Sequence, residues 1–151
     1  MKYAAKASSS HVESTTTANF SQIWNNTVSD YVIIHTHGSP NGLSGNNLSF
    51  TTNDVNTLNR YTNIQCLVIT SCEVGGSNGS KDNMGQMLSR KISPNGVVIC
   101  STTIVSGNDK RFEATKGGKW VVYQNGTQIA AVFPINITMR IVADYWNDFS
   151  T

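Results

Sequence analysis

Short runs of β-branched and apolar residues stand out at three places along the chain. They are 31–36, 66–71 and 97–102. Each run is continuously apolar rather than alternating, which is typical of strands buried on both faces of a sheet. Two further apolar runs, 120–123 and 128–132, flank Asn125-Gly126, a dipeptide that strongly favours a hairpin turn. The pattern therefore predicts a central β-sheet.

Helical spacing of apolar residues occupies much of the chain between and after these strands. It predicts four helices. They cover 16–28, a stretch that begins after a cap at Asn53 or Asp54, the segment from Asp82 to Ile92, and 136–149. A turn-rich loop is expected over 38–42, and a short hairpin or excursion over 43–50. The strand–helix–strand unit over 66–102 favours a right-handed crossover, which joins parallel strands. We therefore expect a three-layer α/β/α domain with a mostly parallel central sheet.

Composition narrows the class of protein. The 151 residues fit one domain, 1–151, of which 1–15 is expected to be a flexible N-terminal segment. No run approaches the ~18 apolar residues of a membrane span, and 1–10 lacks the apolar stretch of a signal peptide. The net charge is only +2 and no basic stripe indicates nucleic acid. Polarity comes mainly from Asn, Ser and Thr, a bias common in secreted and surface proteins.

The chain has three cysteines, so an intramolecular pairing leaves at least one thiol. Cys66 and Cys72 stand at opposite ends of one predicted strand, roughly 20 Å apart at ~3.3 Å per residue. That separation excludes a disulfide between them, since its Cα atoms must lie within about 7 Å. The spacing also lacks the paired CxxC of a structural zinc site. Nothing in the sequence indicates a cofactor.

Two predicted strands end in residues that can do chemistry. His37-Gly38 closes the first, and Cys72 follows the second. Ligands of open α/β sheets bind beyond the carboxyl ends of the strands, so parallel neighbours would bring a base and a sulfur nucleophile together there. The N–H groups of Gly38 and Cys72 are candidate oxyanion donors. The alternative is structural: Cys72 as a small buried apolar residue and His37 as a core histidine.

His35-Thr36-His37 also resembles a metal-binding pair, because alternate residues of a strand share one face. Together with Cys72 and a carboxylate it would form a zinc site and support a metal-dependent hydrolase. No second ligand cluster accompanies the pair in the sequence. The preferred role of His35 is therefore support beside the catalytic residue, and no metal is expected.

Two longer motifs resemble the caspase–legumain–gingipain superfamily of cysteine peptidases, clan CD. They are His37-Gly38-Ser39-Pro40-Asn41-Gly42-Leu43 and Ser71-Cys72-Glu73-Val74-Gly75. In this superfamily a hydrophobic strand ends in His-Gly, and another ends in a small residue followed by the catalytic Cys. Legumain-like members continue with Glu, a small residue and Gly. Bacterial self-processing toxin peptidases and caspase-like domains of bacterial surface proteins are also similar, and the resemblance covers about 31–103.

The resemblance implies a bacterial caspase-like domain that cleaves peptide bonds through a thioester. His37 would be the general acid and base, Cys72 the nucleophile, and the N–H groups of Gly38 and Cys72 the oxyanion hole. The partner would be a protein or peptide substrate, with the chain acting as a processing domain of a larger secreted or surface protein. The chain is short beside caspases and legumains, so part of the cleft is expected to be reduced. A catalytically silent interaction module with the same fold is the alternative.

The resemblance also indicates where the substrate side chain would bind. In this superfamily the pocket for the residue before the cleaved bond lies beside the strand after the nucleophile's helix. Here that strand leads into Ser101, Thr102 and Thr103, followed by Asp109 in a polar loop. Asp109 would favour a basic substrate residue, whereas the neighbouring Lys110 or Arg111 would favour an acidic one. Both preferences stay open.

Overall fold

Eight strands and three helical segments make up the part of the chain described by the computed structural model, residues 15–59, 62–104 and 119–131. The strands are β1 (Tyr31–Ile34), β2 (His37–Ser39), β3 (Gly42–Ser44), β4 (Ser49–Thr51), β5 (Cys66–Ile69), β6 (Val97–Ser101), β7 (Trp120–Gln124) and β8 (Thr127–Ala131). The helical segments are α1 (Thr17–Asn26), a 3₁₀-helix (Thr52–Thr57) and α2 (Met84–Ser89).

The main sheet has the strand order β1-β5-β6-β7-β8. β1, β5 and β6 are parallel, whereas β7 and β8 join antiparallel. The α/β class predicted from the sequence is confirmed. The sheet is mixed, however, so the expectation of a mostly parallel sheet holds for its first three strands only. The antiparallel β7–β8 pair follows from the two-residue turn between these strands, which cannot connect parallel strands.

The hairpin turn is where the sequence predicted it. Asn125 has φ 48° and Gly126 has φ 81°, both in the left-handed region that a type I′ turn requires. Asn tolerates this region better than most residues and Gly enters it without a steric penalty. The β7–β8 register, in which Gln124 is opposite Thr127, therefore follows from local sequence.

One continuous core lies on a single face of the main sheet. It combines sheet residues such as Leu67, Ile69 and Val98 with residues of α1, the 3₁₀-helix and α2. On α1, the rings of Phe20 and Trp24 stack with centroids 6.2 Å apart. The opposite face carries a smaller apolar group around Val68. The helices of the described ranges therefore form one layer, and the closing helix expected over 136–149 lies outside those ranges, as does the N-terminal segment 1–14.

The segment 37–51 contains the predicted hairpin and one strand more. β3 and β4 pair antiparallel, as expected for a hairpin over 43–50, whereas the loop expected over 38–42 is shortened because β2 adds to β3 and completes a small antiparallel sheet. Leu43 and Phe50 are paired across β3 and β4 and are both 1% exposed, so burial of these two side chains stabilises the sheet. β1 accordingly ends at Ile34 rather than Thr36.

The helical predictions differ mainly in length. α1 begins after Thr16, whose hydroxyl accepts from the N–H of Asn19 at 3.3 Å. The helix expected after Asn53 or Asp54 is a 3₁₀-helix that ends at Thr57. α2 ends at Ser89 instead of reaching Ile92, although Ile92 is buried in the core as its spacing predicted. Within the described residues, no helix has the length and apolar character needed to cross a membrane.

Candidate functional site

The carboxyl ends of β1, β5 and β6 lie at one edge of the sheet. Ile34 is in register with Ile69, and Ile69 with Cys100. The ladder continues one step further, since the N–H of Thr70 donates to the carbonyl of Ile34 at 2.9 Å. The residues that follow β1 and β5 therefore leave the sheet side by side, as the candidate site requires.

Gly38 brings the two motifs into direct contact. A Cβ placed on Gly38 would lie 2.7 Å from both Ser71 Cβ and Val74 Cγ2, and 2.9 Å from the carbonyl oxygen of Cys72. These separations are too short for any side chain, so only glycine permits the approach. The backbone after His37 thus packs on the residues that flank Cys72.

His37 itself does not end β1 as predicted. It opens β2, where it is in register with Ser44 of β3, and its side chain is exposed. The small antiparallel sheet therefore fixes the His37 backbone while its imidazole stays open to solvent. Cys72 is a half-buried thiol. The exposed imidazole and the half-buried thiol are thus carried on segments that touch at Gly38, an arrangement compatible with attack on a bound carbonyl.

The turn after Cys72 is held in an uncommon conformation. Glu73 has φ 53°, in the left-handed region that L residues other than Asn and Asp seldom adopt. Its N–H donates to the carbonyl of Thr103 at 3.0 Å, and the N–H of Gly75 donates to Ser101 at 2.8 Å. These bonds to the end of β6 hold the strained residue in place. The glycines at 75 and 76 indicated a sharp exit from the strand, but no sequence signal indicated strain at Glu73.

Ser101, Thr102 and Thr103, the predicted substrate contacts, brace this turn. Ser101 is completely buried, and its hydroxyl donates to the carbonyl of Thr103 at 3.0 Å. The hydroxyl of Thr102 donates to the carbonyl of Lys119 at 3.1 Å, and that of Thr103 accepts from the Lys119 N–H at 3.1 Å. These hydroxyls therefore hold the end of β6 to Lys119 and to each other, and substrate contact by them stays a prediction. Asp109, Lys110 and Arg111 lie outside the described residues.

A buried polar network beneath the turn was missed by the sequence. The hydroxyl of Tyr123 donates to the carbonyl of Gly75 at 3.0 Å and accepts from Nδ2 of Asn83 at 3.0 Å. Nδ2 of Asn83 also donates to the carbonyl of Gly76 at 3.0 Å, while Oδ1 caps α2 by accepting from Gln86. Burial raises the pKa of Tyr123, partly opposed by the hydrogen bond from Asn83. Because Asn83 and Tyr123 are 40 residues apart, no local pattern could reveal their contact.

The other two cysteines lie where thiolate formation is unfavourable. Burial raises the pKa of Cys66 to about 11 and raises that of Cys100 further. Cys100 is fully buried in β6, with its sulfur against Gly75 and Gly85. Both thiols therefore fit a structural role rather than a chemical one.

His35 and Ser71 complete the surroundings of the candidate pair. Nδ1 of His35 lies 2.7 Å from Oγ1 of Thr70. The hydroxyl of Ser71 is buried beside Gly38 with no hydrogen-bond partner in the described ranges. Across those same ranges, no three His, Cys, Asp or Glu side chains are grouped in a way that could hold a metal ion.

Comparison of the chain with protein-family models, curated proteins and solved structures found no match. The likeness to clan CD peptidases therefore depends on the His-Gly and Ser-Cys motifs and on their strand contexts.

Proposed function

We propose that this chain is a cysteine endopeptidase with a caspase-like α/β/α arrangement, acting as a processing domain of a larger secreted or surface protein. The observation that carries the proposal is the packing of Gly38 on the Ser71–Val74 turn. That contact sets His37 and Cys72, which the resemblance makes a catalytic pair, on adjoining backbones at the carboxyl edge of a parallel sheet. An active site at this edge is typical of open α/β folds.

In the proposed reaction, the proton of the Cys72 thiol passes to His37, and the sulfur attacks the carbonyl carbon of a peptide bond. The carbonyl oxygen takes the negative charge, which the N–H groups of Gly38 and Cys72 would stabilise. His37 delivers a proton to the departing amine, the C–N bond breaks, and a thioester forms on Cys72. Water, deprotonated by His37, then attacks the thioester carbon. The carboxylic acid leaves, and the proton returns to sulfur.

Rigid support of the turn favours this chemistry over a purely structural role for Cys72. The N–H groups of Glu73 and Gly75 donate to the carbonyls of Thr103 and Ser101, at and just after the end of β6. The carbonyls of Gly75 and Gly76 accept from the side chains of Tyr123 and Asn83. A nucleophile on a fixed turn loses little freedom when a substrate binds, which lowers the barrier of the chemical step. Strain at the residue next to a reactive side chain is common at active sites.

The test is cleavage of a peptide library, read by mass spectrometry, with four forms of the chain. Wild type and Cys66→Ala should give the same products at similar rates, since Cys66 lies at the far end of β5 from the site. Cys72→Ala and His37→Ala should each lose several orders of magnitude in rate, because the two act as a unit. Wild-type turnover by Cys72→Ala would show that the nucleophile is assigned wrongly.

The same samples separate the alternatives. A catalytically silent module would cleave nothing and would show no preferential labelling of Cys72 by a thiol-directed peptide probe. A metal-dependent hydrolase would lose activity in a zinc-selective chelator and regain it with zinc. The peptidase should keep its activity in the chelator.

A further inference from the structure

A hydrogen-bonded pair of side chains links the segments that carry His37 and Cys72. His35 is two residues before His37, and Thr70 is two residues before Cys72. Nδ1 of His35 and Oγ1 of Thr70 are 2.7 Å apart. We infer that His35 and Thr70 are positioning residues that fix the separation of His37 and Cys72, an inference that depends on the proposed peptidase function.

The location of the pair supports this role. A backbone bond joins the two segments at the end of β5, from the N–H of Thr70 to the carbonyl of Ile34 at 2.9 Å. Beyond it, the side chains of His35 and Thr70 join the segments, and the contact of Gly38 with Ser71 and Val74 follows. His37 is therefore held between two cross-links to the Cys72 segment.

Thr70 is unusual for its position. It directly follows the apolar strand β5 and is 3% exposed, so an apolar side chain would be the simpler choice there. A buried hydroxyl is costly unless it is hydrogen-bonded. Its two partners are His35 and the carbonyl of Ile34, whose oxygen lies 3.3 Å from that of the hydroxyl. The buried hydroxyl of Thr70 thus lies at the place where it can bond to His35.

The contact between His35 and Thr70 can form in either neutral tautomer of the imidazole. Nδ1–H donates to the hydroxyl oxygen of Thr70, or the hydroxyl donates to Nδ1 when the hydrogen is on Nε2. In both cases the 2.7 Å contact joins the two segments.

The rest of the His35 segment is restrained independently. The hydroxyl of Thr36 donates to the carbonyl of Ser44, and His37 pairs with Ser44 in the small sheet. These contacts tie the segment to β3 but not to β5. Loss of the His35–Thr70 bond should therefore leave the Gly38 contact with Ser71 and Val74 as the remaining cross-link, so that His37 is held on one side only and can shift relative to Cys72 while the fold is retained.

The test uses two matched pairs of variants. Thr70→Val keeps the shape but removes the hydroxyl, whereas Thr70→Ser keeps the hydroxyl. His35→Asn places an amide donor near the position of Nδ1, whereas His35→Gln places it nearer that of Nε2. We expect Thr70→Val and His35→Gln to lower kcat by about 10- to 100-fold with KM changed less than about threefold. Thr70→Ser and His35→Asn should recover most of that loss.

A second readout separates this inference from the proposed function. The rate of Cys72 alkylation by iodoacetamide is measured against pH for the same variants and for His37→Ala. If His37 influences Cys72, its removal changes the profile, and Thr70→Val should change it in the same direction. Thr70→Val with wild-type kcat and a wild-type profile would overturn the positioning role while leaving the peptidase proposal intact. If wild type cleaves no peptide, the peptidase proposal fails and the alkylation profiles alone decide whether the pair positions His37.

Discussion

Gly38 is the residue at which the absence of a side chain matters most. Its α-carbon faces the Cβ of Ser71, a methyl group of Val74 and the backbone oxygen of Cys72. The Cys72 oxygen is a backbone atom and the Ser71 Cβ is bonded directly to the backbone. Neither atom can move aside by rotation of a long side chain. The contact therefore fixes the distance between two backbones.

The substitution Gly38→Ala should separate those backbones. The new methyl group would require shifts of several tenths of an ångström, and overpacking of this kind costs typically 1–3 kcal/mol of the free energy of unfolding. Peptidase activity per folded molecule should fall by at least about tenfold, because displacement near a reacting pair is costly. Urea denaturation and peptide cleavage measure the two effects.

Gly45→Ala is the matched control. A Cβ at Gly45 would meet its nearest atoms, Thr36 Oγ1 and Leu48 Cβ, at 3.4 and 3.7 Å, which are ordinary contacts. Its stability should stay within about 0.5 kcal/mol of wild type. Equal stabilities and activities for the two alanine variants would contradict the close packing at Gly38.

Cys66 predicts a pH dependence of stability. Burial raises its pKa in the folded chain from the usual 9.0 to about 11, so the folded state keeps its proton where the unfolded state has lost it. The contribution of Cys66 to the free energy of unfolding should therefore be complete below about pH 9. It should be lost as the pH rises towards about 11.

Cys66→Ala isolates this effect, since Cys100 and Tyr123, whose pKa values burial also raises, remain. The variant should lose stability less steeply than wild type over the same alkaline range. Urea denaturation at several pH values in that range measures both slopes. Identical slopes would mean that the Cys66 thiol is not buried as described.

At the scale of elements, α2 and β6 are joined by a contact between a glycine and a sulfur. A Cβ on Gly85 of α2 would lie 2.6 Å from Sγ of Cys100. Its next contacts, with Tyr123 and Asn83, are at 3.3 and 3.4 Å and leave more room. The sulfur is thus the principal atom that excludes a side chain from the first turn of α2.

A double-mutant cycle on Gly85→Ala and Cys100→Ala should show strong coupling. Each single change should destabilise the fold, the first by overpacking and the second by leaving a void. Together the new methyl occupies the space of the lost sulfur, so the double variant should be more stable than additivity predicts by about 1–2 kcal/mol. Urea denaturation of the four forms measures the coupling.

Gly75→Ala provides the comparison for that cycle. A Cβ there would meet Sγ of Cys100 at 2.8 Å but also Val121 Cγ2 at 2.8 Å. Removing the sulfur relieves only one of these clashes, so the coupling with Cys100→Ala should be smaller. If the coupling with Cys100→Ala were equal at Gly75 and Gly85, contact with the Cys100 sulfur would not be what limits the space at Gly85.

The elements that could be predicted are those whose signal is local. The strands β5 and β6 are continuous apolar runs, and Asn125-Gly126 fixes the β7–β8 hairpin by its own conformational preference. The candidate pair His37 and Cys72 was found because each follows an apolar run. That both residues follow strands ending at the same edge of the sheet could be anticipated once β1 and β5 were taken as parallel neighbours.

The elements that were missed depend on contacts distant in sequence. The β3–β4 hairpin was predicted, but β2 (His37–Ser39) has only three residues, too few for a period-two pattern to emerge. The Asn83–Tyr123 hydrogen bond spans 40 residues, and the strain at Glu73 is supported by Thr103. Such features arise from tertiary packing and have no signature in the neighbouring residues.

For the molecule as a whole, the Cys72 half of the candidate site follows the best-packed strand of the main sheet, whereas His37 lies in the small sheet. β5 is paired with strands on both sides, and Leu67 and Ile69 are completely buried. The amides of Glu73 and Gly75 donate to backbone carbonyls at the end of β6, although they lie in a turn. Side-chain burial is much lower in the last strand, β8, where Ile129 is 52% exposed.

Hydrogen exchange measured amide by amide should reveal this organisation. We expect the slowest exchange in β5 and β6, and faster exchange in β8. The amides of Glu73 and Gly75 should exchange with β6, because opening their bonds requires the end of that strand to move. The exposed residues Ser77 and Ser80 follow in the same loop and should exchange rapidly, which makes them an internal control. Cys72→Ala should leave the pattern unchanged, since the turn depends on its backbone bonds.

If instead Glu73 and Gly75 exchanged as fast as Ser77 and Ser80, the turn would be mobile in solution. Binding of a peptide would then have to order the turn before Cys72 could act, at a cost in rate that a preorganised site avoids.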